Sequence, residues 1–163
     1  MKTMIITLRA VSFSLSLGLT APALAAVEVP PQGAATTVTD YVGRIIDVAD
    51  LGAGDSETLV EATGVSRNAL GETTFDNLRT RCLILSRVVG GQPAPVAGAC
   101  AETDSDGDVI FSSFEGDVRK LIGGTGKYKG ISGSARNVQT RQPSKEPGTI
   151  AYSVRQEVAW TIK

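Results

Sequence analysis

The chain has 163 residues, 16 of them basic and 17 acidic, with two cysteines and no histidine. The lack of histidine excludes Ser-His-Asp catalysis, histidine-ligated zinc and histidine-held haem. The near-even charge leaves none of the basic footprint that nucleic acid requires. Any chemistry therefore falls to carboxylates, Tyr, Lys, Arg or the backbone, and no metal and no cofactor is implied.

Residues 1–25 have the layout of a secretory signal. Lys2 and Arg9 give a positive start, Ala10 to Leu19 is a mostly apolar run, and Ala23-Leu24-Ala25 is a small-residue cleavage pattern. The run is shorter than the roughly 20 residues a spanning helix needs, and Pro22 interrupts its end. The expectation is cleavage near Ala25, a secreted or periplasmic location and no membrane span afterwards. The remainder of the chain is one domain in length.

Residues 26–40 (AVEVPPQGAATTVTD) are poor in large apolar side chains and hold Pro30-Pro31, so they read as an extended arm leading into a domain over residues 41–163. Tyr41 to Val48 is the first strand by alternation. Glu57 to Val65 fits either a strand or a short helix. Leu78 to Val89 is β-branched and aliphatic, and it stops at Gly90-Gly91. If the runs on either side form an antiparallel hairpin centred near Gly91, Cys82 and Cys100 fall opposite each other. In an exported protein an even cysteine count also reads as a disulfide. Two free thiols are the alternative, but the usual base for a cysteine nucleophile is missing.

Asp104-Ser-Asp-Gly-Asp108 carries Asp106-Gly107 between extended runs, a signal for a two-residue type I′ hairpin with both central residues at positive φ. Asp104, Asp106, Asp108 and Glu115 also occupy positions 1, 3, 5 and 12 of a calcium-loop frame. That frame fails because its sixth position is Val109 instead of Gly, and the flanks look like strands. Gly123 to Gly130 (GGTGKYKG) lacks the residues of a phosphate loop: Leu121 stands where Gly is needed and Tyr128 where Ser or Thr is needed. It reads as a turn with Tyr128 packed at the barrel end. Lys127 and Lys129 read as solvated charge.

Ser132 to Gln139 returns as a strand, and Arg141 to Gly148 is a polar loop. The last segment alternates most clearly: Ile150, Tyr152, Val154, Val158, Trp160 and Ile162 share one face, with Gln156 the only polar residue among them. Several strands with turn signals and no strong amphipathic helix argue for an all-β barrel or sandwich. Closure into a barrel removes exposed edges.

Cys100 followed by TDSDGDVIF and then by GGTGKYKGISG resembles a bacterial exported family with an allene oxide cyclase barrel-like fold, the calycin-type barrel of plant allene oxide cyclases and dirigent proteins. The resemblance covers about half of the chain beyond the signal. It implies an antiparallel eight-stranded barrel with a central apolar cavity, and homo-oligomers as in the plant relatives. No catalytic residue of either group aligns here, so none is assigned.

Two functions compete. In the first, the barrel binds a small hydrophobic molecule and steers its cyclisation, because an apolar face with one central amide suits a pocket holding few polar groups. Tyr152, Gln156, Trp160 and Glu115 are then the ligand-binding candidates, with Glu115 as an acid or base if it is buried. In the second, these residues fill a closed core, and the protein is a non-catalytic interaction module of the envelope or the extracellular space.

Overall fold

The structure is a computed structural model, which describes residues 28–144 and 146–163; the signal-like residues 1–25 lie outside the described residues. Nine strands succeed one another: β1 (Gln32–Gly52), β2 (Asp55–Asn68), β3 (Leu78–Val89), β4 (Gln92–Pro93), β5 (Ala97–Thr103), β6 (Val109–Glu115), β7 (Val118–Gly124), β8 (Ile131–Gln142) and β9 (Thr149–Ile162). They form one antiparallel sheet in the order β2-β1-β9-β8-β7-β6-β5-β3, and pairing of β2 with β3 closes it into an eight-stranded barrel. Strand β4 adds two residues at the end of β3. Glu57 to Val65 is therefore strand. Among the described residues no helix is long and apolar enough to cross a membrane.

Most of the expected N-terminal arm belongs to the barrel. From Gln32 onward it pairs with β9, and from Thr37 with β2 as well. It lacks large apolar residues because its inward positions lie where the barrel is crowded. Thr37 and Thr39 are 3% and 0% exposed, and each keeps a partner for its hydroxyl: Thr37 on Gln156, Thr39 on Ser66. Small β-branched residues suit such a strand as well as large ones do, but a search for bulky side chains passes over them.

The hairpin hypothesis for the cysteines holds in register. Cys82 pairs directly with Cys100 across β3 and β5, and the two form a disulfide with a Cα separation of 4.1 Å. The acidic turn differs from the expected form. Only Gly107 has positive φ (88°), and Asp104 organises the turn by accepting the backbone N–H groups of Asp106 and Asp108 at 2.9 and 3.0 Å. An Asx-type bond from Asp104 does what a second left-handed residue would have done.

This turn meets the glycine-rich one. Lys127 places its ammonium 2.8 Å from Asp104 and 2.5 Å from Asp106, and its backbone N–H donates to Asp108 at 3.1 Å. The lysine is thus a largely buried clamp, not solvated charge. Burial disfavours the Asp104 charge, but the Lys127 ammonium and the two backbone N–H groups outweigh it and hold the carboxyl below its usual range. Burial likewise opposes the Lys127 charge, and the two carboxylates more than compensate, raising its pKa.

One end of the barrel is packed solid. Phe75, Leu78, Ile110, Tyr128, Ile131 and Trp160 form its cluster. The segment between β2 and β3 folds over this end: Asn68 accepts the N–H of Leu70 and donates to the carbonyl of Thr74, while Asp76 accepts the N–H of Asn68. Phe75 is driven into the barrel at φ 55°, with its ring 4.7 Å from Trp160. A bulky residue in the left-handed region costs on the order of 1–3 kcal/mol, which burial of its ring at roughly 1.5–3 kcal/mol offsets. Trp160 lies against Gly33, where a Cβ would come within 2.6 Å of the indole, and donates its N–H to the carbonyl of Pro30 at 3.0 Å. At the other end, β1 beyond Arg44 has lost β9 and continues with β2 alone to Gly52, while β3 accompanies β2 as far as Val88. Three strands thus overhang that rim.

Candidate functional site

The overhung end is hollow. A cavity of about 430 Å³ opens there, within the range of small-molecule sites. Its wall is apolar: Val60 from β2, Ile84 from β3, Phe114 from β6, and Ile150 and Val154 from β9. The Cys82–Cys100 disulfide is part of the same wall. Tyr41 and Tyr152 pair directly across β1 and β9 and stack with centroids 5.1 Å apart. Gln139, Arg141 and Asp117 stand toward the polar rim.

Between the hollow and the packed end lies a polar floor. Arg119 on β7 is 2% exposed, and its guanidinium meets Glu102 of β5 end-on: Nη1 donates to Oε1 at 3.0 Å and Nη2 lies 2.6 Å from Oε2. Nη1 also donates to Gln156 Oε1 at 2.7 Å, and Gln156 in turn donates to Asn137 Oδ1 at 2.9 Å. Arg119 Nε has no acceptor among the described residues. Burial disfavours the guanidinium charge, but the adjacent Glu102 carboxylate outweighs this and raises the Arg119 pKa. Arg119 is a permanent cation whose charge is balanced within the chain.

Burial pushes the Tyr152 phenol up to about 12. Burial, then the negative charge of Glu102, pushes Tyr41 higher than its ordinary value. Both phenols stay protonated at neutral pH, so each keeps an O–H to offer to an acceptor. Among the described residues that line the cavity the one carboxylate is Asp117, on an exposed turn facing Arg136; Glu102 lies behind the floor, tied to Arg119. The chemistry on offer is donation of hydrogen bonds to an oxygen inside an apolar container.

Of the sequence candidates, the structure brings together Tyr152 and Gln156, both lining the cavity. Trp160 does not join them; it belongs to the packed end, two inward positions further along β9. Glu115 is exposed at the end of β6, opposite Ala97 and Val118, and lacks the burial that its role as acid or base required. Gln156 is at once a satisfied core amide and a floor residue. Tyr41, Glu102 and Arg119 were missed. Tyr41 had a signal, since it alternates with Gly43 and Thr39 on one face of β1. Arg119 had the opposite: its neighbours Val118 and Ile122 look like the inward face of β7, yet they are 45% and 62% exposed.

No protein-family model, curated protein or solved structure matches the chain.

Proposed function

We propose that this protein is an exported barrel that binds a small, largely apolar molecule in its open end. The observation that carries the reading is the contrast within one barrel between a packed end and a cavity of about 430 Å³ with apolar walls and a donor-bearing floor. The resemblance to the allene oxide cyclase barrel-like family supports the same reading, and the disulfide suits the oxidising compartments that export reaches. The absence of an unengaged buried carboxylate among the cavity's described residues favours holding and orienting a ligand over proton transfer. Steering a cyclisation by shape alone is compatible with that arrangement, because orientation in a closed space lowers the entropic part of a barrier.

The neutral dye N-phenyl-1-naphthylamine tests the reading. Its emission should rise and shift to the blue on binding, with a micromolar dissociation constant, about −8 kcal/mol. Ile84→Trp, which puts an indole into the cavity, should abolish the signal while leaving the thermal midpoint within a few degrees. Native mass spectrometry of protein from its source should show a retained small molecule. Dye binding that Ile84→Trp leaves untouched would sink the proposal.

A further inference from the structure

The three strands that overhang the rim carry the cavity wall outward. Residues paired directly across antiparallel strands point to the same side of a sheet, so the register decides which face of the overhang meets the mouth. Ile45, Val60 and Ile84 form one cross-strand row, and Val60 and Ile84 line the cavity. The next rows outward are Val48, Thr58 and Ser86, then Asp50, Ser56 and Val88. Ser86 also lines the cavity, which fixes these rows as the inner face. From Val60 to Ser56 that face runs about 13 Å past the mouth row at the rise of an extended strand. It holds no charge before Asp50, and its Val48 is 56% exposed. The outer face carries Asp47 and the Arg87–Glu57 ion pair. An uncharged, largely apolar face set against an apolar opening points to an apolar occupant. An added β-strand fits poorly. Beyond Arg44, β1 has lost β9, but the Val48 N–H donates to Asp47 Oδ1 at 2.8 Å and the Gly52 N–H to Asp50 Oδ1 at 2.9 Å, which engages donors that a new strand would need.

Resting on the cavity reading, we propose that the ligand is longer than the cavity: an elongated molecule whose aliphatic outer part leaves the mouth, lies along Val48 and Val88, and ends beside Asp50 in a hydroxyl instead of an anion. The inner end fills the barrel, and the outer part covers the face that the strands leave bare. The charges about the far end are acidic: Asp50 on the inner face, Asp47 on the outer face and Asp55 at the turn, while Arg87 is held by Glu57. A carboxylate there meets like charge, whereas a hydroxyl can donate to the Asp50 carboxylate, which gives one oxygen to Gly52. Arg141, the cation of the opposite wall, is in register with Tyr152 and through it with Tyr41, two inward positions short of Ile45 on β1.

Displacement of N-phenyl-1-naphthylamine by 1-octanol, short enough to stay inside the cavity, and by 1-hexadecanol, which is not, tests this. Val48→Asp puts a charge on the inner face and should weaken hexadecanol about tenfold while leaving octanol within about twofold. Ala49→Asp, the neighbouring position on the outer face, should leave both within about twofold. Hexadecanoate should bind more weakly than hexadecanol, and Asp50→Asn should narrow that gap about threefold. If Val48→Asp does not fold, hydrogen exchange on the wild type decides: amides of residues 46–52 should slow with hexadecanol and not with octanol. Full retention of hexadecanol binding in Val48→Asp, equal losses of both alcohols, a preference for hexadecanoate, or unchanged exchange would overturn the inference and leave the cavity in place. So would a ligand-free dimer in sedimentation, or binding to phosphatidylcholine vesicles, that Val48→Asp abolishes, because either gives the inner face a different cover. Failure of the dye and of both alcohols to bind would remove the cavity reading itself.

Discussion

The two ends of this barrel share the same eight strands and differ in what the strands place inside them. At the packed end, Trp160, Phe75 and Tyr128 meet within a few ångströms, and the β2–β3 connection closes over them. At the hollow end the inward side chains are smaller or tied to the wall: Tyr41 and Tyr152 stack on each other, and the cysteines are locked together. Backbone closure therefore leaves the filling of a barrel open, and volume per layer decides it. Large side chains concentrate at one end and leave the other open.

The largest test of that division is a matched pair of truncations. Trp160→Ala should cost about 3–5 kcal/mol in chemical denaturation and leave dye affinity within about twofold. Ile150→Ala, at a half-buried cavity position, should cost less than about 1.5 kcal/mol and change dye affinity instead. Equal losses of stability would erase the distinction between the ends. A smaller effect is expected at the floor that separates them. Gln156→Leu removes an acceptor from buried Arg119 and should destabilise by roughly 1–3 kcal/mol; a variant more stable than wild type would mean that the floor is not held together as described.

The smallest effect belongs to the Asp104–Lys127 clamp on the turns beside the packed end. Asp104 is held below its usual range, so its contribution is complete above the ordinary carboxylate value of about 3.9 and is lost as pH falls through the lowered value. Lys127 is raised, so its contribution is complete below about 10.4 and is lost as pH rises through the raised value. The stability gap between wild type and Lys127→Met should be about 1 kcal/mol on the plateau between these limits and should close toward strong acid. A gap of the same size in an Asp104→Asn/Asp106→Asn background at neutral pH would assign the effect to packing of the lysine stem.

Much of the fold was legible because its signals are local. Alternation located the last strand, and the symmetry of Cys82 and Cys100 about Gly91 gave both the hairpin and the disulfide. Small inward residues hid the first half of β1, since Thr37 and Thr39 look like surface residues until their hydroxyl partners on other strands are known. The site was only half legible. Tyr152 and Gln156 lie on the cleanest strand, but where β9 passes from cavity to solid core depends on Phe75, which reaches Trp160 from a distant connection. Arg119 and Glu102 identify each other only after β5 and β7 have been placed on either side of β6. A lone arginine in VRKLI gives no reason to point inward.

The position of the disulfide has a kinetic consequence. Cys82 and Cys100 are buried and line the hollow end, so a small thiol reaches the bond through the space a ligand would fill. A molecule seated there shields the bond, and an empty barrel leaves it open to attack. Under the binding reading, the rate of reductive cleavage becomes a clock for occupancy of that space, readable on the protein alone.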